Sequence, residues 1–201
     1  PLEKFRGKYY LIACDGSEFN IARNLKDADT FHEPNGKSVS GFNMVHTISL
    51  YELCSKRYVD LEVQPGRLEN EFQAICNLMD RYAYGGSPIF IADRGFSSYN
   101  VFAHAIENNV DFLIRAKDLN VQRFLGVGTL PDKLDTTIEL ILTRTQSKKK
   151  HKHPEKESQY RYICKNIAFD YLNPADISDE YLLKLRIVRV EVSDGVYENI
   201  I

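Results

Sequence analysis

The sequence is poor in the features that build zinc sites, disulfide frameworks and membrane anchors. Its cysteines, Cys14, Cys54, Cys76 and Cys164, are far apart and form no C-x-x-C pair, which argues against a zinc site or a disulfide framework. No run approaches the roughly 18 apolar residues of a membrane span, and charged residues interrupt the N-terminal stretch too early for a signal peptide. We therefore expect a cytoplasmic protein with no membrane contact, whose thiols are mostly buried and inert.

The sequence also has little excess charge. The formal net charge is −2, with 43% hydrophobic and 27% charged residues, an ordinary composition for a globular protein. Because a dedicated nucleic-acid-binding module is usually basic, this balance counts against a simple DNA-binding domain. It does not exclude DNA binding, since a site that collects carboxylates for metals lowers the net charge by itself. Positive residues are concentrated in the stretch "KKKHKH", residues 148–153.

The first part of the chain alternates between two hydrophobic periods. Apolar or alternating runs predict strands, and apolar residues at three- and four-residue steps predict helices. The predicted strands cover 8–17, 42–53, 57–63, 87–93 and 110–117, with a loop over 34–41. The predicted helices run from Leu68 to Tyr82 and from Tyr99 to Ile106. The order β, β, β, α, β, α, β predicts an α/β fold, a mixed sheet that begins as an antiparallel meander and carries flanking helices.

The pattern changes after Lys117. The segments 136–146, 159–169, 182–192 and 196–201 are strand-like, and no convincing long helix is present. We therefore predict a boundary near residue 118, between a core formed by residues 1–117 and a β-rich subdomain formed by residues 118–201. The chain opens on the charged "PLEKFRGK" and stops on the apolar "VYENII", which favours a fragment of a longer protein.

Two aspartates follow buried strands. Asp15 stands in "ACDGS" and Asp93 in "PIFIADRGF", and in the meander order the first and fourth strands lie side by side. Two carboxylates brought together repel each other unless they are protonated, paired or bridged by a cation, and oxygen ligands suit Mg²⁺ or Mn²⁺. The alternative is structural: Asp15 begins an Asp-Gly turn that ends the first strand, and Asp93 caps a strand-to-helix loop.

The motifs "ACDGS" and "IADRGF", with "GFNMVHTISLY" between them, resemble the DDE transposases of bacterial insertion sequences. That resemblance implies an RNase H-like catalytic core interrupted by a β-rich insertion, which matches the change after Lys117. It implies that Asp15 and Asp93 are the first two metal-binding catalytic residues and that the metal is Mg²⁺ or Mn²⁺. The implied partner is double-stranded DNA, both transposon ends and target, bound by a homodimer of the full-length enzyme.

The third catalytic carboxylate of that family has no counterpart in the sequence. The family places its glutamate in the pattern Tyr, two residues, Arg, three residues, Glu, six residues, Lys, and no arginine here has that context. Glu191, in "VRVEVSDG", belongs to a predicted strand. We therefore expect the glutamate to lie beyond Ile201, so that this chain alone is inactive; a decayed copy of a mobile element is the alternative.

Other residues give weaker signals. Arg94 could contact phosphate or form a surface salt bridge. Lys148, Lys149 and Lys150, expected at the mobile tip of a hairpin, could contact the DNA backbone or simply be solvated. His46 is interpreted as a core histidine, with an approach to the aspartates as the alternative. Two other functions remain open: another RNase H-like nuclease of the resolvase or repair type, and a non-catalytic DNA-binding module descended from a transposase.

Overall fold

The computed structural model describes residues 2–36 and 38–201. Lys37, in the loop predicted over 34–41, and Pro1 lie outside the described residues. The chain divides into two compact units, one formed by residues up to Phe96 together with His104–Phe112, and the other by Ser97–Ala103 together with Leu113–Ile201. No helix within the described residues is long and apolar enough to cross a membrane.

The first unit is built on a mixed sheet. Its strands are β1 (Tyr9–Ile21), β2 (Phe31–His32), β3 (Phe42–Glu52), β4 (Arg57–Pro65) and β5 (Ser87–Ala92). Strand β3 pairs antiparallel with β1, β2 and β4, whereas β5 pairs parallel with β1. The first long strand therefore lies directly between β3 and β5, as the meander order predicted, and no later strand separates β1 from β5.

Helix α1 (Glu71–Asp80) covers one face of this sheet. Asn70 caps its N-terminus, because the Asn70 side chain accepts a hydrogen bond of 3.1 Å from the backbone N–H of Gln73. The apolar side of α1 and the sheet face beneath it are buried: Ala74, Ile75, Leu78 and Met79 from the helix, and Ile12, Ile48 and Leu50 from the strands. Full burial of such a side chain contributes roughly 1.5–3 kcal/mol to folding.

The other face of the same sheet keeps apolar side chains in contact with solvent. Phe19 of β1 is 54% exposed, and Leu61 and Val63 of β4 are 49% and 55% exposed. Because side chains alternate between the faces of a strand, these residues lie on the face that also carries Asp15. This first unit is thus a two-layer structure, with helix on one side of the sheet and an open apolar surface on the other.

The second unit carries the remaining paired strands. Helix α2 (Tyr99–Glu107) and strand β6 (Asp111–Ala116) are each divided between the units; the further elements are α3 (Asp118–Leu125), β7 (Leu134–Thr143), β8 (Tyr160–Tyr162), β9 (Glu180–Ser193) and β10 (Val196–Ile200). Strand β10 pairs antiparallel with β6 and β9, β9 pairs antiparallel with β7, and β8 pairs parallel with β7. The mixed α/β class predicted from the sequence is confirmed, while the domain boundary near residue 118 stays a prediction.

Three segments of the second unit differ from the sequence-based predictions. Helix α3 was not predicted; it is only 8 residues long, and Val121 is its only buried residue. The strand predicted over 159–169 ends at Tyr162, because a turn follows in which the Ile167 N–H bonds the Cys164 carbonyl at 3.0 Å. The lysine-rich segment forms two short 3₁₀ turns, Lys148–Lys150 and Pro154–Gln159, instead of a hairpin tip.

The prediction that Asp15-Gly16 ends the first strand is wrong. Strand β1 continues to Ile21, with Asp15 paired to Ser49 and Gly16 paired to Ile48 of β3. The reason is that Gly16 does not turn the chain; its missing side chain makes room for groups packed on the sheet. A Cβ at Gly16 would lie 2.6 Å from Oε1 of Glu71 and 3.0 Å from Nε2 of His46.

Candidate active site

Asp15 and Asp93 are brought together by the parallel pairing of β1 and β5. The last residue pair of that ladder is Cys14 with Ala92, so Asp15 follows the paired segment within β1 and Asp93 is the first residue after β5. Neighbouring strands lie about 4.7–4.9 Å apart. We therefore predict that the carboxylates of Asp15 and Asp93 lie within about 4–7 Å of each other, near enough to share a divalent ion or a bridged pair of ions.

Each of these carboxylates is held by one oxygen. Oδ1 of Asp15 accepts a hydrogen bond of 2.9 Å from the Gly16 N–H, and Oδ1 of Asp93 accepts one of 2.6 Å from the Gly95 N–H. Within residues 2–36 and 38–201 neither Oδ2 has a hydrogen-bond or ion-pair partner, and both side chains are exposed. The backbone thus fixes the orientation of each carboxylate and leaves one oxygen free to bind a cation.

The donor set fits a hard divalent cation. Carboxylate oxygens are the ligands that Mg²⁺ and Mn²⁺ prefer, and Asp15 and Asp93 would hold the ion. In the part of the chain that the structure describes, no group of three or more His, Cys, Asp or Glu side chains is close enough to hold a metal. The described residues therefore contribute two carboxylates and no third ligand of these types.

A contact between a buried histidine and an exposed glutamate lies next to the strand that carries Asp15. His46, only 4% exposed, contacts Glu71 with 3.0 Å between Nε2 and Oε1. Among the described residues Nδ1 of His46 is buried without a partner. The geometry favours the tautomer in which Nε2–H donates to Glu71, because a carboxylate oxygen can only accept a hydrogen bond. The structure thus places His46 in the core, on the sheet face opposite Asp15.

The positive residues singled out from the sequence have different environments. Arg94 begins a 3₁₀ turn after Asp93; it is exposed and has no ion-pair partner among the described residues. Lys148 pairs with Glu157 at 3.2 Å, while Lys149 and Lys150 are exposed and unpaired within the described chain.

His151 anchors the lysine-rich segment. Its Nδ1 lies 2.9 Å from Oε2 of Glu157, and its ring stacks on that of Tyr160 with centroids 3.8 Å apart. The hydrogen bond from His151, followed by that from Lys148, holds the pKa of the Glu157 carboxyl below its usual value. The segment that was expected to be mobile is therefore tied to the second unit by a buried imidazole.

Most of the chain matches one known protein family. Residues 6–186 match the family described as "Transposase DDE domain". The chain belongs to this family. That match covers Asp15 and Asp93 as well as the strands that carry them, and it confirms the resemblance to the DDE transposases.

Among curated proteins no sequence matches this DDE domain. Among solved structures, it is similar to a Ciona intestinalis endonuclease V in complex with a 24mer DNA containing an inosine followed by a ribo-adenosine. The two chains share 12% identity with a TM-score of 0.29, and the match covers 66% of this chain and 62% of that one. A likeness this low transfers no residue role, and the chain spans less than two thirds of the endonuclease.

Sequence reasoning missed Glu71 as a neighbour of the strand that carries Asp15. Glu71 is the first residue of α1. The Asn70 cap indicates where this helix begins, but nothing in the sequence around Glu71 predicts a contact with β1. The contact is visible only in three dimensions, since Gly16, His46 and Glu71 come from three separate elements. The missing side chain of Gly16, which the sequence suggested was a turn signal, is what admits the contact.

Proposed function

We propose that this DDE domain takes part in metal-dependent DNA strand cleavage and strand transfer, in cut-and-paste transposition. Membership of the transposase family supports this function, and the observation that carries it is the register of β1 and β5, which makes Asp15 and Asp93 the next residues beyond the last paired positions. Two exposed carboxylates on adjacent parallel strands repel each other and so do not stabilise the fold by themselves. A cation between them removes this repulsion.

In this proposal Asp15 and Asp93 are the metal-holding residues. Mg²⁺ or Mn²⁺ bound there would activate a water or a 3′-hydroxyl and stabilise the leaving oxygen of a phosphodiester. The Gly16 and Gly95 N–H groups orient the two carboxylates. A third carboxylate, absent from the neighbourhood of these aspartates among the described residues, completes the site; we propose that it is a glutamate beyond Ile201 and that residues 118–201 are an insertion before it.

We propose double-stranded DNA, both transposon ends and target, as the partner of a homodimer of the full-length enzyme in the cytoplasm. Arg94, Lys149 and Lys150 are exposed and form no ion pair with any residue that the structure describes, which supports contacts with the phosphate backbone. Lysine and arginine contacts to phosphate hold DNA without reading its sequence. We include Lys148 among these residues, because its side chain is exposed although its ammonium pairs with Glu157 at 3.2 Å.

Binding of Mn²⁺ tests the two-carboxylate site directly. The free ion is counted by its electron paramagnetic resonance signal while Mn²⁺ is titrated into the chain, into Asp15→Asn and into Asp93→Asn. Asp194→Asn is the matched control, because Asp194 is an exposed aspartate in the turn after β9. We expect weak binding by the unchanged chain, no binding by either site variant and unchanged binding by the control.

Cleavage is assayed separately as nicking of supercoiled plasmid. We expect no nicking by residues 1–201 and nicking by a longer protein that supplies the third carboxylate, because each missing anionic ligand removes charge and geometry from a hard cation site. Metal-dependent nicking by residues 1–201 alone would show that a carboxylate within this chain completes the site. Equal Mn²⁺ binding by all three variants would remove Asp15 and Asp93 from the proposal and favour a non-catalytic module.

A further inference from the structure

Strand β4 forms a free edge of the sheet in the first unit. Within the described residues it pairs only with β3, so its other side presents backbone N–H and carbonyl groups to the surroundings. An edge of this kind can accept a further strand, from a second copy of the chain or from another protein. Strand β4 has 9 residues, which makes its edge long enough for such pairing.

Two carbonyl groups on this edge are nevertheless occupied. The ladder between β3 and β4 shifts register at Val59, which has no partner on β3. The Tyr84 hydroxyl donates a hydrogen bond of 2.5 Å to the Val59 carbonyl, and Nη2 of Arg81 donates one of 2.9 Å to the Leu61 carbonyl. These two acceptors are therefore bound by side chains from the segment that follows α1, and not by another strand.

Arg81 also pairs with the acidic side chains of β4. Its Nε lies 2.8 Å from Oδ2 of Asp60, and its Nη1 lies 2.8 Å from Oε2 of Glu62. The hydrogen bond from Arg81 is the largest of the effects that set the pKa of the Asp60 carboxyl below its ordinary value. Oδ1 of Asp60 in turn accepts a hydrogen bond of 2.8 Å from the Leu61 N–H. One guanidinium thus holds two carboxylates and one carbonyl along the edge.

Arg81 and Tyr84 are held in position by the rest of the first unit. Arg81 is the C-cap residue of α1, and its backbone N–H bonds the Asn77 carbonyl at 3.1 Å. The ring centroid of Tyr84 lies 5.7 Å from that of Tyr82, and Tyr82 meets the fully buried Phe90 edge-on, with centroids 5.6 Å apart. Because groups that are already ordered lose little further freedom, the hydrogen bonds to β4 are pre-organised.

We propose that Arg81 and Tyr84 form a strap that closes the edge of β4 against the addition of another strand. The segment that the strap excludes is an extended peptide with alternating basic and apolar side chains. Its basic side chains would meet the two carboxylates on one face, and its apolar side chains would meet Leu61 and Val63, 49% and 55% exposed, on the other. A second copy of β4 paired antiparallel about Leu61 fits less well, because it would bring like charges opposite each other.

Titration with a peptide of this chemistry tests the strap. The probe is a synthetic peptide of alternating valine and lysine with blocked ends, added to isotope-labelled protein in EDTA. Binding is followed by nuclear magnetic resonance, from the chemical shifts of the backbone amides of Leu61 and Val63. Because the buffer contains EDTA, the result does not depend on a metal bound by Asp15 and Asp93. We expect the unchanged protein to bind the peptide more weakly than any variant that lacks part of the strap.

Two substitutions open the strap separately. Tyr84→Phe removes one hydroxyl and frees the Val59 carbonyl, whereas Arg81→Met frees the Leu61 carbonyl and both carboxylates. We expect each to strengthen peptide binding by roughly twofold to tenfold, the net contribution of about one hydrogen bond, and the double variant to bind most tightly. Because Tyr84→Phe removes a single oxygen atom, the test survives if Arg81→Met fails to fold.

Tyr58→Phe and Arg57→Met are the matched controls. Both residues are exposed at the start of β4, and neither side chain forms a hydrogen bond or ion pair within the part of the chain that the structure describes. Equal peptide binding by the unchanged protein and the double variant would overturn the proposal, and so would equal gains from the strap variants and their controls. If the double variant associates with itself in sedimentation and does not bind the peptide, the excluded segment is a second copy of β4 and the assignment of a basic peptide is wrong.

Discussion

Replacing Gly16 with alanine tests the packing behind Asp15. The new Cβ would lie 2.6 Å from Oε1 of Glu71, 3.0 Å from Nε2 of His46 and 3.2 Å from Cδ1 of Ile48. The Glu71 carboxylate could swing away, but only by giving up its 3.0 Å contact with the buried His46. Overpacking of this kind costs about 1–3 kcal/mol, and a buried imidazole N–H without a partner costs a similar amount.

Urea unfolding measures this cost. With a slope of about 2 kcal/mol per molar urea, the expected loss lowers the midpoint of Gly16→Ala by roughly 0.5–1.5 M. Gly36→Ala is the matched control in the same unit, because a Cβ at Gly36 meets nothing within 4 Å and Gly36 does not have the positive φ that disfavours alanine. Its midpoint should stay the same or rise slightly, since alanine restricts the unfolded chain.

A double variant identifies the atom responsible. In Gly16→Ala with Glu71→Ala, the nearest obstacle to the new Cβ is gone, so the combined loss should be smaller than the sum of the two single losses by at least about 0.5 kcal/mol. Strict additivity, or a midpoint for Gly16→Ala equal to that of Gly36→Ala, would refute the idea that Glu71 and His46 pack against the strand behind Asp15.

Two further predictions concern thiols and acid stability. Cys164 is exposed whereas Cys14 and Cys76 are buried, and burial raises the pKa of the Cys14 thiol. A thiol reagent should therefore label Cys164 in the folded protein, and Cys14 and Cys76 only after unfolding. Comparable labelling rates for the three thiols would contradict the burial of Cys14 and Cys76. The hydrogen bond donated by Arg189 at 2.8 Å, followed by that from Asn199, lowers the pKa of the Asp118 carboxyl in the folded state. The unchanged protein should be more stable than Asp118→Asn, and this difference should be fully present above the unfolded-state pKa of about 3.9 and lost as pH falls through the lower folded-state pKa. If the urea midpoints of the two proteins differ equally at pH 6 and pH 3, folding does not favour the ionised carboxylate.

The local patterns of the sequence predicted the first unit well. The alternation of buried residues in 42–53 corresponds to β3, and the apolar steps from Leu68 contain α1, although the helix itself begins at Glu71. The adjacency of the strands that carry Asp15 and Asp93 followed from the strand order alone, since short connections leave few places for the fourth strand. What the sequence could not reveal was that β1 runs through Gly16, because that depends on pairing with residues 43–49 of β3.

The second unit was less predictable because its determinants are not local. Helix α3 buries one side chain and is defined by the caps at Lys117 and Gly126, and strand β8 is only three residues long.

The pairing of β1 with β5 also has a kinetic consequence. Strands β3 and β4 can pair with little loss of chain entropy because they are close in sequence, whereas β5 reaches β1 only after β2, β3, β4 and α1 have been accommodated. Because contacts of such long sequence separation form slowly, we expect Asp15 and Asp93 to meet late in folding. A divalent ion bound between them would stabilise the native chain over the states in which β1 and β5 are not yet paired.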